Sequence, residues 1–504
     1  MKMVSGLPHI ALLFASLVSC AAPLAPPPPE TPDNSALWAR SATLTDQAHF
    51  RAIAVDVAGN VLAAGDMQGT GIVDFGNTVS ATGKCPTNPL LVKYDSAGKA
   101  LWAKTLSGVT VPADSDCGFK MVATDGLGNV YAAGYVSGTG VYSFDSGVTA
   151  QAAYSAHANA LIVKYDVNGN ALWAKSLESA SGISSFEAIC VDGSGNIYAA
   201  GTIYGNALFN FGDSTSAQSE SDGVNPVLVK YTSAGTAVWA KTIVSAMGTD
   251  SRCEFSGVDT DASGNVFIAG YIYANNTYDF GSGFSITGIT GSENPLLAKF
   301  DNTGTPMWLR TVTTGEGECE FTSVAVDTSG NALACGRIYG SSASSVKDFT
   351  FASGVTAWRE MKDGPVLVKY NASGTAQWAR TIESGNLDCV FESVSVDGSG
   401  NSYAAGTIRG VDDYGFGNSV GVAGMYSGRN PVLLRYSPSG TAQWALSVTE
   451  GTWNSSFGSV ITDSGGNVYA SGSIEGAGSY GFGNGIILTT ENWTPYPVLI
   501  KYTP

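Results

Sequence analysis

The residue types that most often carry chemistry are few in this chain. Only three His occur, His9, His49 and His157, and they lie far apart in the sequence. A multi-His metal site or a relay of His bases is therefore not expected. The chain also contains no nucleophile elbow, phosphate-binding loop or paired-carboxylate motif. We therefore predict no catalytic residue, no metal and no cofactor, and we expect the protein not to be an enzyme.

Seven of the eight Cys lie in the body of the chain, because Cys20 belongs to the N-terminal segment treated below. Four of them stand two residues before a recurring Phe: Cys117, Cys253, Cys319 and Cys389. One hypothesis is a soft-metal site made of these thiols with Glu254 and Glu320. However, zinc requires thiolates that converge within about 2.3 Å of one point. Thiols on separate repeat units lie too far apart for this. We therefore favour the interpretation that these Cys are small buried side chains and bind no metal.

An odd number of thiols leaves at least one free or paired between chains. Export to an oxidising compartment would permit a disulfide. We expect at most one within the chain and favour Cys85–Cys117, because both should reach the same face of the fold. The alternative is that all seven remain thiols. Cys190 and Cys335 lie within strand patterns and are expected to be buried and inert.

A recurring Asp precedes a Gly-Asn turn and is a candidate calcium ligand. It occurs seven times: Asp56, Asp125, Asp192, Asp261, Asp327, Asp397 and Asp463. Calcium takes six to eight oxygen ligands, whereas each turn supplies one Asp and one Asn. We therefore favour an Asp that accepts backbone N–H groups within a tight turn. Lys and Arg at fixed strand positions are predicted to pair with these Asp, which leaves too few cations for an anion-binding cluster.

Aromatic side chains supply the candidate binding site. Of ten Trp, seven recur at one position of a repeat, at 38, 102, 173, 239, 308, 378 and 444. The other three, Trp358, Trp453 and Trp493, fall in variable loops, as does Tyr426. Large aromatic side chains dominate the energetics of interfaces, so these four are predicted to bind a ligand. The alternative is that each ring folds back onto its own repeat.

Acidic residues in nearby loops limit the chemistry of a partner. They include Glu316, Glu318, Glu383, Asp412 and Asp413. A phosphate-bearing partner is therefore disfavoured, and a neutral or basic one is favoured. The formal charge of -17 and pI near 4.5 also exclude a nucleic-acid binder, which needs a basic surface. A hydrophobic fraction of 44% argues against a disordered chain.

The elements that must position these residues come from an internal repeat of seven units. The repeated Trp are 64 to 71 residues apart, and a Gly-Asn pair, a basic-aromatic pair and an opening Phe recur with them. One unit reads as four strands, a to d, over 186–192, 196–203, 226–231 and 237–243. The a–b and c–d connections are short and Gly-containing, as in tight hairpins, and a long variable loop joins b to c.

Four-stranded sheets repeated in this way predict an all-β fold, a seven-bladed β-propeller of four-stranded blades. The repeat begins with a lone d strand around Trp38 and ends with a c strand at 501–502. The N-terminal strand is therefore predicted to join the last blade and close the propeller, which removes an open edge. An open solenoid is the alternative, but it gives no reason for this order of strands.

The first nineteen residues are predicted to be an export signal. Lys2 is followed by a short apolar run over 10–18, which ends in Leu17-Val18-Ser19-Cys20. This sequence resembles the lipobox of bacterial lipoproteins, which implies cleavage before Cys20 and lipidation of its thiol; an ordinary secretory signal is the alternative. Residues 20–35 carry six Pro and form a stiff tether. The predicted domains are a signal peptide (1–19), a lipidated Cys and tether (20–35) and a propeller (36–504).

The repeat itself resembles the SBBP repeat, a bacterial β-propeller repeat. The resemblance is carried by F-E-A-I-C-V-D-G-S-G-N-I-Y-A-A-G (186–201) and V-L-V-K-Y-T-S-A-G-T-A-V-W-A-K (227–241), and it covers roughly 36–504. It implies a propeller in exported or surface proteins, with no shared catalytic residue. A second resemblance, limited to the c–d turn, is to the Trp-docking motif of quinoprotein-type propellers, carried by Asp95–Trp102.

The sequence thus predicts a bacterial lipoprotein anchored through Cys20 in the outer membrane or at the cell surface. Its predicted role is a binding scaffold for a protein or glycan through the loop face of a propeller, with Trp358, Tyr426, Trp453 and Trp493 as anchors. One alternative is a propeller-based carbohydrate-active hydrolase or lyase, which would need convergent carboxylates of perturbed pKa. Another is a structural or assembly role in the envelope.

Overall fold

The computed structural model describes residues 35–44, 46–110, 116–220, 222–248, 251–339, 346–360 and 363–503. The predicted signal, Cys20 and nearly all of the tether therefore lie outside the described residues. All regular elements in the described part of the chain are strands. No helix there is long and apolar enough to cross a membrane.

Seven four-stranded antiparallel sheets make up most of the structure, and each has the strand order a-b-c-d. We number them 1 to 7 by the chain order of strand a. Strands a are Ala48–Val55, Cys117–Thr124, Ile183–Val191, Cys253–Thr260, Glu318–Val326, Cys389–Val396 and Ser455–Thr462. Strands b are Val61–Gln68, Val130–Val136, Ile197–Tyr204, Val266–Tyr273, Ala332–Tyr339, Ser402–Arg409 and Val468–Ile474.

The outer two strands of each sheet complete the repeat. Strands c are Thr87–Tyr94, Asn159–Tyr165, Val224–Tyr231, Glu293–Phe300, Gly364–Tyr370, Arg429–Tyr436 and Tyr496–Tyr502. Strands d of sheets 1 to 6 are Ala100–Lys104, Ala171–Ser176, Ala237–Lys241, Pro306–Arg310, Ala376–Arg380 and Ala442–Leu446. In sheet 7 the outer strand is Ala36–Arg40, which pairs antiparallel with Tyr496–Tyr502. The strands predicted for the third repeat agree with these bounds to within two or three residues.

The long b–c connections are regular hairpins rather than the loops expected from sequence. Their strands are Ile72–Asp74 and Ser80–Thr82, Val141–Asp145 and Val148–Gln151, Leu208–Gly212 and Thr215–Gln218, Thr277–Asp279 and Ser285–Thr287, Val346–Ala352 and Val355–Glu360, Asp413–Gly415 and Gly421–Ala423, and Gly478–Gly481 and Ile487–Thr490. Five also pair with a short strand of the preceding d–a connection: Thr43–Leu44, Gly108–Thr110, Ser245–Met247, Thr314–Gly315 and Glu450–Gly451.

Each of these hairpins lies against strand d of its own sheet. In sheet 1, for example, the Asn77 amide donates to the Ala100 carbonyl at the start of strand d (2.8 Å). The Asn418 amide makes the same bond to Ala442 in sheet 6 (2.9 Å). The hairpins therefore cover the outer edges of the sheets, where unpaired strands would otherwise invite aggregation.

The repeated Trp joins each sheet to the next one. In six of the seven cases the indole N–H donates to a carbonyl in the c–d turn of the following sheet, as Trp102 does to Val167 and Trp378 to Pro438. Trp38, in sheet 7, donates in the same way to Ser96 of sheet 1 (3.1 Å). The turn glycine must lack a side chain, since a Cβ on Gly98 would lie 2.8 Å from the Trp38 ring.

Strands a of successive sheets are also in contact, including those of sheets 7 and 1. They line a common channel of about 320 Å³, to which every strand a contributes. The buried core consists of Val, Ile, Leu, Ala, Phe and Tyr on both faces of the sheets, which explains why the strands read as apolar throughout. A repeat of four-stranded sheets packed face to face around strands a is the arrangement of a β-propeller.

Candidate functional site

Three of the four predicted binding residues lie together. The ring centroids of Tyr426 and Trp453 are 5.4 Å apart, and those of Trp453 and Trp493 are 4.7 Å apart with planes inclined at 70°. Trp493 is 68% exposed and Trp453 is 37% exposed. The three rings come from the b–c connections of sheets 6 and 7 and from the d–a connection between them. We call Tyr426, Trp453 and Trp493 the aromatic patch.

The backbone around the patch is held by a buried amide. The Oδ1 atom of Asn430, the second residue of strand c in sheet 6, accepts the N–H groups of Met425 and Tyr426 (2.9 Å each). Its Nδ2 group donates to the Tyr426 and Gly410 carbonyls. Because Asn430 is fully buried, these bonds fix the position of Tyr426 with little competition from water.

Trp453 is seated on a glycine that cannot be replaced without movement. A Cβ on Gly476 would lie 2.5 Å from the Trp453 ring, and Gly476 has a φ of +79°. Both features favour glycine. The Trp453 indole therefore packs against the backbone of sheet 7 on one side, and part of the ring remains exposed.

Polar groups flank the three rings. The Arg429 guanidinium forms an ion pair with Glu475 (2.8 Å), and the Asn454 amide donates to the other oxygen of that carboxylate (3.0 Å). The backbone N–H of Arg429 donates to Asn454 Oδ1 (2.9 Å). The rings can stack on a flat apolar surface of a ligand. The neighbouring amide, guanidinium and carboxylate can then hydrogen-bond to polar groups at the edge of that surface.

Trp358 does not join the patch, which corrects its predicted place on the same surface. It lies on the hairpin strand Val355–Glu360, which packs beside strand d of sheet 5 on the outer rim. There it shares a depression with Arg380 and Glu383, and it is 41% exposed. The predicted position differs because the b–c connection of sheet 5 packs alongside strand d of that sheet and does not extend beyond the ends of the strands.

A second group of residues includes Glu254 and Glu320, which the sequence offered only as companions of a thiol site. Carboxylates gather where the d–a and b–c connections of sheets 3 to 6 meet strand a. Burial raises the pKa of Glu254, and the neighbouring Glu187 and Glu320 carboxylates raise it further. Burial and the charges of Glu320 and Glu318 raise the pKa of Glu293 to about 7. We call Glu187, Glu254, Glu293, Glu320 and Glu392 the acidic mouth.

Partners within the fold satisfy part of the acidic mouth. Lys120 contacts both oxygens of Glu187 (2.6 and 2.8 Å). Arg337 forms an ion pair with Glu320 (2.6 Å), and the Tyr271 hydroxyl donates to Glu254 (2.7 Å). Glu254 and Glu320 directly precede the recurring Phe, and Glu187 and Glu392 directly follow it. Glu293 begins a strand c, so the repeat by itself does not bring the group together.

The seven described Cys are free and buried. Cys85 and Cys117 share one core cluster, yet they remain separate thiols, so the favoured disulfide is wrong in this structure. Burial raises the pKa of Cys85 to about 11, and the thiol donates to the Thr87 carbonyl (3.0 Å). No group of three His, Cys, Asp or Glu in the described ranges has metal-binding geometry.

The recurring Asp are structural in the way that the sequence favoured. In the first repeat, one oxygen of Asp56 accepts the N–H groups of Ala58 and Asn60 (2.9 Å each). Lys93 contacts the other oxygen (2.8 Å). Equivalent pairs join Lys299 to Asp261 and Lys369 to Asp327. The predicted pairing of strand-c cations with turn carboxylates is therefore confirmed in these repeats.

Comparisons with known proteins concern the architecture. No protein-family model matches the chain. An uncharacterized WD repeat-containing protein of Acanthamoeba polyphaga mimivirus is 31% identical over 169 residues, which is 32% of this chain and 12% of that protein. Among solved structures, a streptogramin B lyase has a TM-score of 0.41 at 10% identity and covers 92% of this chain and 97% of its own. The polysaccharide lyase Uly1 has a TM-score of 0.42 at 10% identity, and the match covers 93% of this chain and 99% of that one.

Proposed function

We propose that this protein is an exported, lipid-anchored binding protein that holds a glycan or protein partner on the aromatic patch. The observation that carries this proposal is the exposure of three rings, two of which contact the central Trp453, and which the repeat does not require. Trp493 alone leaves 68% of its surface uncovered. Aromatic surface gains about 25 cal/mol per Å² when it is covered, so the patch is a favourable place for a partner to bind.

The chemistry of the patch favours a neutral or basic partner. Flat rings suit the apolar face of a sugar or an aromatic side chain, and Asn454 with the Arg429–Glu475 pair supplies hydrogen-bonding groups at the edge. The chain carries 42 acidic residues against 25 Lys and Arg. This excess disfavours an anionic partner through long-range repulsion.

We also propose that the seven sheets close into one seven-bladed propeller. The support is the contact of sheet 7 with sheet 1, where the Trp bond matches that of five other junctions. Trp38 donates to Ser96, and the Ile53 N–H donates to Ser459 Oγ (3.3 Å). Closure would leave the aromatic patch on a rigid scaffold, which suits a binding site made of connecting segments.

The anchor in this proposal is Cys20, within the sequence that resembles a lipobox. Membrane fractionation of cells that express the Cys20→Ser variant tests it: the variant should leave the membrane fraction, while the parent chain stays there. Retention of the variant would mean that another feature holds the protein. The proposed location is the outer membrane or the cell surface.

The binding proposal is tested with the soluble Cys20→Ser chain on a glycan array and in pull-downs from envelope extracts. A partner bound through the patch should lose about tenfold or more in affinity with Trp493→Ala or Trp453→Ala, since such anchors contribute about 2 kcal/mol or more. Trp358→Ala, on the rim, is the matched control and should bind like the parent. A partner that binds both patch variants with full affinity would remove the site. Absence of any partner would favour a structural role in the envelope.

A second candidate function is favoured by the acidic mouth. Carboxyl groups that stay partly protonated near neutral pH are suited to general acid–base catalysis, and burial with neighbouring charges raises the pKa of Glu293 to about 7. We propose hydrolysis or elimination on a glycan as the activity to examine. Release of reducing or unsaturated ends from a panel of polysaccharides tests it, and Glu293→Gln should abolish any such activity. Activity that survives this change would place the chemistry elsewhere.

A further inference from the structure

The outer rim carries an exposed Trp that the aromatic patch does not use. Trp358 lines a depression of about 310 Å³ between sheets 5 and 6. Its side chain is 41% exposed, and its indole N–H donates to no acceptor in the described part of the chain. An exposed ring with an unused N–H group can stack on a ligand and also donate a hydrogen bond to it.

The fold builds the same depression elsewhere with smaller side chains. An equivalent depression of about 300 Å³ lies between sheets 1 and 2. By the register of the hairpins, Thr82 of sheet 1 occupies the position of Trp358. After strand d of sheet 1, Ser107 occupies the position of Glu383. The packing of neighbouring sheets therefore requires neither an indole nor a carboxylate at this place.

Glu383 supplies an acidic group that has no partner within the fold. Its side chain is exposed, and among the described residues the carboxylate makes no hydrogen bond and no ion pair. It lies against the hairpin turn of sheet 6, since a Cβ on Gly417 would be 2.7 Å from Glu383 Oε1. The Gly417 backbone thus allows the carboxylate to approach the turn closely. A carboxylate placed in this way can accept hydrogen bonds from a ligand.

The depression beside Trp358 continues along the hairpin of sheet 6. Glu383 and Gly417 also line a second depression, of about 570 Å³, which contains Asp413. The Asp413 side chain is exposed and has no ion pair in the described ranges. Because the two depressions share Glu383, together they form one groove. We call the groove lined by Trp358, Arg380, Glu383 and Asp413 the rim groove.

The charges of the rim groove favour a cationic ligand. Arg380, Glu383 and Asp413 are the charged side chains that line it. All three nitrogen atoms of the Arg380 guanidinium already donate to backbone carbonyls, so they are poorly placed to receive an anion. The two carboxylates outnumber this one cation and have no partners of their own. The groove is therefore net negative and attracts positive charge.

We propose that the rim groove binds an extended basic segment of a partner polypeptide. A Lys or Arg side chain of the segment lies over the Trp358 ring, because an indole is the best aromatic partner for a cation, and its charge faces Glu383. A second cation farther along the segment pairs with Asp413, which an Arg can do through two parallel hydrogen bonds. The rim groove is separate from the aromatic patch and gives the protein a second binding site.

Fluorescence anisotropy of a labelled peptide of alternating Arg and Ala, titrated with the full-length Cys20→Ser chain, tests this proposal. Saturable binding is expected, and a peptide of alternating Glu and Ala should not bind. Trp358→Thr should weaken binding about fivefold, because it removes the ring beneath the cation. Glu383→Ser should weaken it about tenfold, because it removes hydrogen bonds between charged groups. No saturable binding to the parent, or full affinity of both variants, would overturn the proposal.

The two variants are chosen so that a loss of binding does not reflect a loss of folding. Thr and Ser are the side chains that the equivalent depression of sheet 1 already carries. Both variants should therefore melt like the parent. A neutral oligosaccharide is the competing occupant: if it binds more tightly than the Arg peptide and loses affinity with Trp358→Thr, the basic segment is refuted.

Glu178→Ser is the matched control for total charge. Glu178 is exposed at the same position of sheet 2, where Gln151 stands in place of Trp358. Its removal changes the net charge as much as Glu383→Ser does and should leave peptide affinity unaltered. Equal losses in both variants would mean that overall charge alone attracts the peptide, and would refute the site. Trp493→Ala, in the aromatic patch, should also keep full peptide affinity, so this proposal and the proposed function are tested separately.

Discussion

Asp259 is the one charged side chain among the strand-a residues that line the channel. Its Oδ2 atom accepts the Val326 N–H of the next sheet (2.8 Å), and its Oδ1 atom accepts the Thr260 N–H (2.8 Å). Burial raises the pKa of Asp259 from 3.8 to about 6, although these two bonds oppose the change. The folded protein therefore favours the protonated form, and this stabilisation is lost as the pH rises through about 6.

Asp259→Asn should remove that pH dependence. We expect the variant to be more stable than the parent at pH 7.5, by up to about 2–3 kcal/mol, and to equal it near pH 4. Urea unfolding at both pH values measures the difference. The control is Ser395, which accepts the Thr462 N–H at the equivalent position of sheet 6. The Ser395→Ala variant should be destabilised by the same amount at both pH values. A parent advantage that grows with pH would contradict the prediction.

The thiols give a second prediction at the residue scale. All seven described Cys are buried and unpaired, and burial raises the pKa of Cys117, Cys253 and Cys319 well above the usual thiol range. The native Cys20→Ser chain should react hardly at all with an alkylating reagent, because the reactive thiolate is scarce and covered. Denaturant without reductant should expose seven thiols, counted by intact mass. A count of five would restore the disulfide that sequence spacing favoured.

At the scale of elements, one buried Asn organises each of several b–c connections. The residue stands near the start of strand c and is fully buried at Asn88, Asn159, Asn225, Asn294 and Asn430. Asn430 holds both the Met425 and the Tyr426 N–H. The segment that presents Tyr426 therefore depends on a single side chain of the adjoining strand.

Asn430→Ala should loosen this segment and weaken the patch. Several buried hydrogen-bonding groups would lose their partner, which costs about 1–3 kcal/mol in the free energy of unfolding. Hydrogen exchange at the Met425 and Tyr426 amides should speed up, and affinity for a patch ligand should fall. Asn88→Ala, in sheet 1, is the matched control: it should cost similar stability and leave ligand affinity unchanged. Equal protection of the 425–426 amides in parent and variant would refute this account.

At the scale of the whole molecule, stability depends on how the first strand joins the last sheet. Ala36–Arg40 covers the edge of Tyr496–Tyr502, and Trp38 is buried against Tyr469 (6.1 Å between ring centroids). Trp444 marks the same seam, since its buried indole N–H finds no acceptor among the described residues. The c–d connection of sheet 7, which would receive this N–H group, is not a continuous turn. Its strand c ends at Tyr502, and its strand d begins at Ala36.

Deletion of residues 36–40 should therefore lower the melting temperature by roughly 10 °C or more, or cause aggregation through the exposed edge. Deletion of five tether residues, 24–28, is the control for length and should have no effect. Calorimetry and light scattering at several concentrations measure both outcomes. Unaltered melting after the first deletion would mean that the strand is dispensable and would contradict the proposed closure.

Much of this architecture could be predicted because it repeats. Seven copies of one pattern average out the ambiguity of any single strand, and the Gly-containing turns define the hairpins within two or three residues. The Lys–Asp pairs and the turn glycines followed for the same reason, since local geometry and recurrence both constrain them. The b–c connections vary in length and composition but also repeat a Phe two residues after a Val, Phe or Tyr, at Phe75, Phe144, Phe211, Phe280, Phe351, Phe416 and Phe482. Treating these connections as variable loops missed their hairpins, and with them the position of Trp358.

The sequence by itself determined the repeat, its strands, the roles of the recurring Trp, Asp and Gly, and the candidate aromatic residues. Only the tertiary structure decided which of those aromatic residues meet, because Tyr426, Trp453 and Trp493 are far apart in the chain and are joined by the packing of sheets 6 and 7. It likewise assembled the acidic mouth. Such features depend on contacts between different repeats, and no local pattern in a chain records the distance between residues that only folding brings together.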